Sequence, residues 1–205
     1  MKYDFDRIID RKGSGSFKHD LLQKIFGADD VIPMWVADMD FRCADEIVDA
    51  VRKHVDLGVF GYGVRTPESE KAFIAWVDRR LGWKIDRKEM LVSPGVVTAL
   101  AVALETFAVK GDHILLMSPV YTPFFEVVEQ HDCVTEAVSL QTIHGRFSFD
   151  WAEFEEKLSR SKLFLLCNPH NPGGRVWSKQ ELLRMGELCC KHDVIIVSDE
   201  IHCDL

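Results

Sequence analysis

Four stretches of this chain set glycine, proline, amide, aromatic or carboxylate residues directly after an apolar run, the position at which a ligand-binding loop would sit. In Leu91-Val-Ser-Pro-Gly-Val-Val-Thr98 an apolar run enters Gly95 and then a helical pattern. Glycine lets backbone approach a ligand closely, and the free N–H groups and positive dipole end of a helix start suit a phosphate. A plain turn that needs Gly95 only for its geometry fits the same residues. In Met117-Ser-Pro-Val-Tyr-Thr-Pro-Phe124, Tyr121 follows an apolar strand pattern at the start of the next helix. Its ring could stack on a flat conjugated partner, or it could be a core tyrosine with a satisfied hydroxyl. Tyr62, flanked by Gly61 and Gly63, could reach a ligand or a neighbouring subunit, or pack under its loop.

The third stretch, Leu166-Cys-Asn-Pro-His-Asn-Pro-Gly-Gly174, is the most unusual. Each proline restricts the residue before it and removes a donor, so two Asn-Pro units dictate the loop geometry. Asn171 could offer its amide to a fixed acceptor, and His170 reads as structural. In the fourth, Val194-Ile-Ile-Val-Ser-Asp-Glu-Ile-His202, an apolar strand ends in two carboxylates. A buried acid must be paired or must ionise against a positive group, and a protonated pyridine nitrogen would serve Asp199. A helix cap, a salt bridge, or a metal site of Asp199, Glu200 and His202 are the other readings, the last without a second ligand cluster to support it.

Such loops need strand ends to carry them. From Met90 onward, short apolar runs alternate with helical patterns: 90–92, a helix over 96–108, 113–117, a helix over 121–130, 133–138, a helix over 151–158, 163–167, a helix over 179–191, and 194–198. This rhythm predicts an α/β fold with a mostly parallel, doubly wound sheet covered on both faces, in which ligands bind at the carboxyl ends of strands. Upstream, helices are expected over 44–57 and 67–81 from apolar spacing, ended by Gly58 and begun by Pro67. Residues 1 to about 40 read as an arm.

With 205 residues, 47% of them hydrophobic, the chain can bury a sizeable core. A net charge of −8 and no long Lys/Arg run argue against nucleic acid or an anionic membrane as partner. The charged N-terminus and the absence of a spanning apolar run predict a cytoplasmic protein. Six scattered cysteines without a C-x-x-C pair read as reduced, mostly buried thiols, and no metal is expected.

Together these stretches resemble the fold-type I pyridoxal-phosphate (PLP) enzymes. The wording is similar to the carbon–sulfur lyase branch, the cystathionine β-lyases of the MalY/PatB type within the aminotransferase class I/II superfamily. The matching words are Trp35-Val-Ala-Asp-Met-Asp-Phe41, Gly61-Tyr-Gly63, Ser93-Pro-Gly-Val-Val97, Asn168-Pro-His-Asn-Pro-Gly-Gly174 and Ser198-Asp-Glu-Ile-His202. The resemblance implies a three-layer αβα PLP-dependent transferase-like fold and pyridoxal 5′-phosphate as cofactor. It implies that Gly95, Val96 and Val97 hold the phosphate, with Tyr62 reaching the phosphate of the partner subunit's cofactor. Tyr121 would stack on the pyridine ring, Asn171 would bond the ring hydroxyl with His202 nearby, and Asp199 would pair with the ring nitrogen. Trp35, Asp38 and the arm would shape the substrate pocket at a homodimer interface. Gly173 departs from the family, which commonly has Thr there.

Family members run to roughly twice this length. Their Schiff-base lysine, and the arginine for the substrate carboxylate, are therefore expected beyond Leu205, leaving no catalytic residue within the chain. Ser161-Lys162 and Ser178-Lys179 do not match the lysine turn. The expected domains are 1–45, an arm with part of the small domain, and 46–205, a large PLP-binding domain incomplete at its C-terminus. In this fold, strands from beyond residue 205 separate the run at Leu91 from the rest. The strand around Ile195 is thus expected to be an open edge, and the isolated chain unstable or self-associating. The implied activity is β-elimination from cystathionine or cysteine. An aminotransferase, and a non-catalytic binding protein or half of a split enzyme, are the alternatives.

Overall fold

A computed structural model of the chain describes residues 3–205 and divides into two compact units, one up to Phe73 and one from Ile74 to Leu205. The first unit holds two short helices, α1 (Phe17–Asp20) and α2 (Leu22–Phe26), then α3 (Asp45–Leu57) and the start of α4 (Pro67–Leu81), which continues into the second unit. The arm has more internal order than its composition suggests. Asp20 accepts hydrogen bonds from the N–H groups of Gly13, Gly15 and Ser16 at 2.7, 2.8 and 3.0 Å. Gly13 and Gly15 lie at φ +74° and +78°, the left-handed region that glycine enters without strain.

The second unit contains a four-stranded parallel sheet. Its strands are β1 (His113–Ser118), β2 (Val134–Ser139), β5 (Leu163–Cys167) and β6 (Ile195–Asp199), in the order β2-β1-β5-β6. Between β2 and β5 the chain forms an antiparallel hairpin, β3 (Gln141–Ile143) and β4 (Arg146–Ser148), that the apolar pattern did not signal. The helices are α5 (Val96–Phe107), α6 (Pro123–Gln130), α7 (Trp151–Leu158) and α8 (Lys179–His192).

β1 and β5, at the centre of the sheet, are apolar almost throughout because both of their faces are covered. Leu115 and Met117 of β1, with Phe164 and Leu166 of β5, point into a core shared with Phe154, Leu158, Met185, Cys189 and Trp177. The intervening Ile114 and Leu116, with Leu163 and Leu165, point to the other face and meet Leu100, Leu104, Phe124, Val127 and Val128 of α5 and α6. Successive residues of a strand face opposite ways, so one run of apolar residues feeds two cores. Each side chain fully buried this way contributes about 1.5–3 kcal/mol.

Two expectations are corrected. Residues 90–92 form no strand: Leu91 is 98% exposed and no ladder partner exists for it among the described residues. An extended segment becomes a strand only when another strand takes up its backbone groups. The cysteines are not mostly buried, since Cys43, Cys190 and Cys203 are exposed and only Cys167 and Cys189 are buried. Cys190 adjoins Cys189 on α8, and adjacent helical positions face about 100° apart. The open edge at β6 is present: it pairs only with β5, and Ile195 and Ile196 are over a third exposed.

Candidate functional site

The strands run parallel, with Cys167 of β5 in register with Asp199 of β6 and β1 alongside β5, so the ends at Ser118, Cys167 and Asp199 share one edge of the sheet. The loop after β5 is closed on itself. The His170 N–H donates to Arg175 O at 2.7 Å, and the Gly174 N–H donates to His170 O at 2.8 Å. The Asn168–Pro169, Asn171–Pro172 and Ser118–Pro119 peptide bonds are cis.

The two asparagines of this loop do different things. Asn168 Oδ1 accepts the Trp177 N–H at 3.1 Å, and the Asn168 N–H donates to Asp199 O at 2.9 Å, which joins the ends of β5 and β6. Asn171 uses only its backbone within the chain. Its N–H donates to Cys167 Sγ at 3.3 Å, and its carbonyl accepts the Tyr121 N–H at 2.9 Å. Its half-buried side-chain amide has no hydrogen bond to any described residue.

His170 is buried, with Nε2 3.3 Å from Met117 O and its ring edge-on to Trp177. Burial pushes its pKa below the ordinary value. The neutral ring therefore carries its proton on Nε2, donating to Met117 O, and leaves Nδ1 as a bare acceptor. That Nδ1 has no partner. A Cβ on Gly173 would lie 2.7 Å from it and 3.0 Å from the Phe147 ring, so the glycine is required by packing.

Asp199 is only 8% exposed. One carboxylate oxygen accepts the Ile201 N–H at 3.0 Å, and no Lys, Arg or His among the described residues pairs with it. His202 is half-buried in the turn that follows. At the start of α5, Gly95 is the extended N-cap residue and supplies no side chain to the helix. Ser93 Oγ donates to Gly95 O at 2.9 Å, and the N–H groups of Val96 and Val97 have no acceptor among the described residues. Val96 is partly buried against the apolar cluster that also holds Leu100, Leu104 and Cys167. Tyr121 lies in the loop after β1 and is 46% exposed.

In the second unit Tyr121, Asn171, Asp199 and His202 thus lie at or just after the carboxyl ends of β1, β5 and β6, whereas Gly95, Val96 and Val97 stand at the start of α5, which no strand of the sheet precedes. Tyr62, Trp35 and Asp38 belong to the first unit. Tyr62 is fully exposed between its glycines. Trp35 packs between Phe17 and Phe26, ring centroids 5.0 and 5.3 Å away, and its Nε1 donates to Lys18 O at 3.1 Å. Asp38 bonds Arg11 at 2.6 Å, which holds its carboxyl below the usual range. Asp40, in the same Met39-Asp-Phe41 word, takes hydrogen bonds from Lys18, His19 and Arg11, which hold its carboxyl well below the usual range. Lys162 stands at the amino end of β5, across the sheet from Asp199, and Lys179 opens α8. Among the described residues no three His, Cys, Asp or Glu side chains converge on a metal position. Among the described residues no helix is long and apolar enough to cross a membrane.

Sequence and structure comparisons agree on the kinship. The chain is 44% identical over 204 residues to cystathionine beta-lyase PatB of Bacillus subtilis, covering 98% of this chain and 53% of that protein. It is 31% identical to protein MalY of Escherichia coli, covering 99% and 53%. Among solved structures, cystalysin from Treponema denticola, which contains a pyridoxal 5′-phosphate cofactor, superposes with a TM-score of 0.93 at 35% identity, covering 100% of this chain and 53% of that one. The PLP-bound C-S lyase from Staphylococcus hominis gives 0.90 at 33% identity, covering 99% and 52%. The fold is thus the three-layer αβα architecture of these enzymes, and the chain spans about half the length of the curated relatives it matches. Because residues 29–205 match the aminotransferase class I and II model, the chain belongs to that family.

Proposed function

We propose that this chain forms the cofactor-binding part of a PLP-dependent carbon–sulfur β-lyase, which releases thiol, pyruvate and ammonia from a sulfur-containing amino acid such as cystathionine or cysteine. The observation that carries the reading is Asp199, a buried carboxylate at the end of β6 with no cation of its own. A buried charge of this kind calls for a positive partner, and a protonated pyridine nitrogen provides one. Bound there, PLP supplies an electron sink for the pair left when a proton leaves the substrate α-carbon.

The remaining residues fit the other parts of that group. The unspent N–H groups of Val96 and Val97 bind the phosphate at the positive end of α5, with Gly95 allowing close approach. Tyr121 offers an exposed ring face for stacking, and the free Asn171 amide donates to the ring hydroxyl, with His202 close by. Tyr62 reaches the phosphate in the partner subunit of a homodimer, and Trp35 and Asp38 border the substrate pocket. Residues 1–45 then form an arm with part of a small domain, and 46–205 most of a large domain in a cytoplasmic enzyme. A lyase is favoured over an aminotransferase by the name of the relative that shares 44% identity and by the Met39-Asp-Phe41 and Asn168-Pro-His170 words.

Two measurements test this. Titration of the chain with PLP should show saturable binding without a borohydride-reducible visible band, weakened by Asp199→Ala; a reducible band would assign the anchoring lysine to this chain. The open reading frame that carries this sequence, expressed at its full length with L-cystathionine, should yield pyruvate and ammonia. A keto acid formed only when an acceptor is added would mean transamination instead.

A further inference from the structure

Away from the cofactor loops, a cavity of about 490 Å³ opens between β4, the start of α7 and the start of α8, lined by Arg146, Trp151, Arg175, Ser178, Glu181 and Arg184 among others. Three guanidinium groups face one carboxylate there, on a chain whose net charge is −8. The carboxylate is already spent. Glu181 accepts from the Ser178 N–H and hydroxyl at 2.8 and 2.7 Å and from Arg175. Arg175 is spent as well, donating to Phe147 O and Glu181 while stacked 4.1 Å over Trp177.

Arg146 and Arg184 are not spent. Neither pairs with a carboxylate, and none of their guanidinium N–H groups is hydrogen-bonded to a described residue. The Arg184 guanidinium lies 4.2 Å over the Trp151 ring. Stacking occupies the face of a guanidinium and leaves its in-plane N–H fork free for a planar oxyanion, with much of the side-chain entropy already lost. We propose that this cavity binds a small polyanion, a molecule bearing two or more carboxylate or phosphate charges, with Arg146 and Arg184 as paired clamps and Arg175 adding field. The site is separate from the proposed cofactor position and stands whether or not that reading holds.

Calorimetric titration of the chain with citrate and, separately, with pyrophosphate, at fixed ionic strength, tests the proposal and distinguishes the two sources of charge. One-site saturable binding of at least one probe is expected. Arg146→Ser and Arg184→Ser should each weaken it about tenfold, the loss of a charge-assisted hydrogen bond. Arg184→Lys, which keeps the charge but loses the planar fork, should fall between. Because pyrophosphate has a second possible seat at the start of α5, only the portion lost in the arginine variants counts in favour. Binding that never saturates, or that is unchanged in the folded Arg146→Ser/Arg184→Ser double variant, would overturn the proposal.

Discussion

The Tyr121 N–H donates to the Asn171 carbonyl at 2.9 Å, one hydrogen bond that ties the loop after β1 to the loop after β5. Since both residues spend only backbone on this contact, the aromatic ring and the amide stay available at a fixed separation. His170 reinforces the tie by bonding Met117 O at the end of β1. The two loops therefore behave as one unit, and substitutions that disturb either should be felt at both.

The two asparagines separate stability from ligand binding. Asn168→Ala removes the acceptor for the Trp177 N–H and should lower stability by about 1–2 kcal/mol. Asn171→Ala deletes an amide with no partner in the chain, so stability should stay within about 0.5 kcal/mol while PLP binding weakens. Urea midpoints and a PLP titration on both variants make the comparison, and equal losses of stability would contradict it.

Gly173→Ala should destabilise the chain by about 1–3 kcal/mol, the usual cost of overpacking. The new Cβ would press on His170 Nδ1 and the Phe147 ring, both held by their own packing. A urea midpoint equal to that of the wild type would mean that the loop shifts freely, contrary to its closed hydrogen-bond pattern.

Acid should weaken the chain partly through Glu136. Hydrogen bonds from Arg160, then His113, bring its pKa down from 4.5 to about 2. A depressed carboxylate stabilises the fold above its unfolded pKa and loses that contribution as pH falls through the folded value. Between about pH 4.5 and pH 2, stability should therefore drop less steeply in Glu136→Gln than in the wild type. Denaturation midpoints measured across that window give the two slopes, and identical slopes would remove Glu136 from the acid response.

The uncovered β6 edge should make the chain self-associate. Ile195 and Ile196 stand on a strand whose outer backbone groups lack a partner strand, a template for another chain. Sedimentation velocity over a concentration series should show species larger than the monomer, and Ile196→Lys should shift the distribution toward monomer. A wild-type chain that remains monomeric, with a sharp thermal transition, would count against it.

Much of the order of elements was legible because burial leaves a local trace. Apolar runs at 113–117 and 163–167 signalled strands covered on both faces, the run at 194–198 signalled the edge strand β6, and the apolar spacing at 96–108, 151–158 and 179–191 signalled helices that the structure contains within a residue or two. The β3–β4 hairpin escaped because its strands are three residues long and largely exposed, too short for alternation to show. The Leu91 run has the composition of a strand but no partner.

What the sequence determined by itself was which segments must be buried, which loops follow them, and the family words those loops spell. Tertiary structure decided the rest: the order β2-β1-β5-β6, the tie between Tyr121 and Asn171, and the division of labour between Asn168 and Asn171. The physical reason is that composition and period report how much surface a segment must bury, whereas a hydrogen bond across 50 residues depends on where the partner strand ends. Both asparagines precede a proline, and only the position of the Trp177 N–H leaves one of them free.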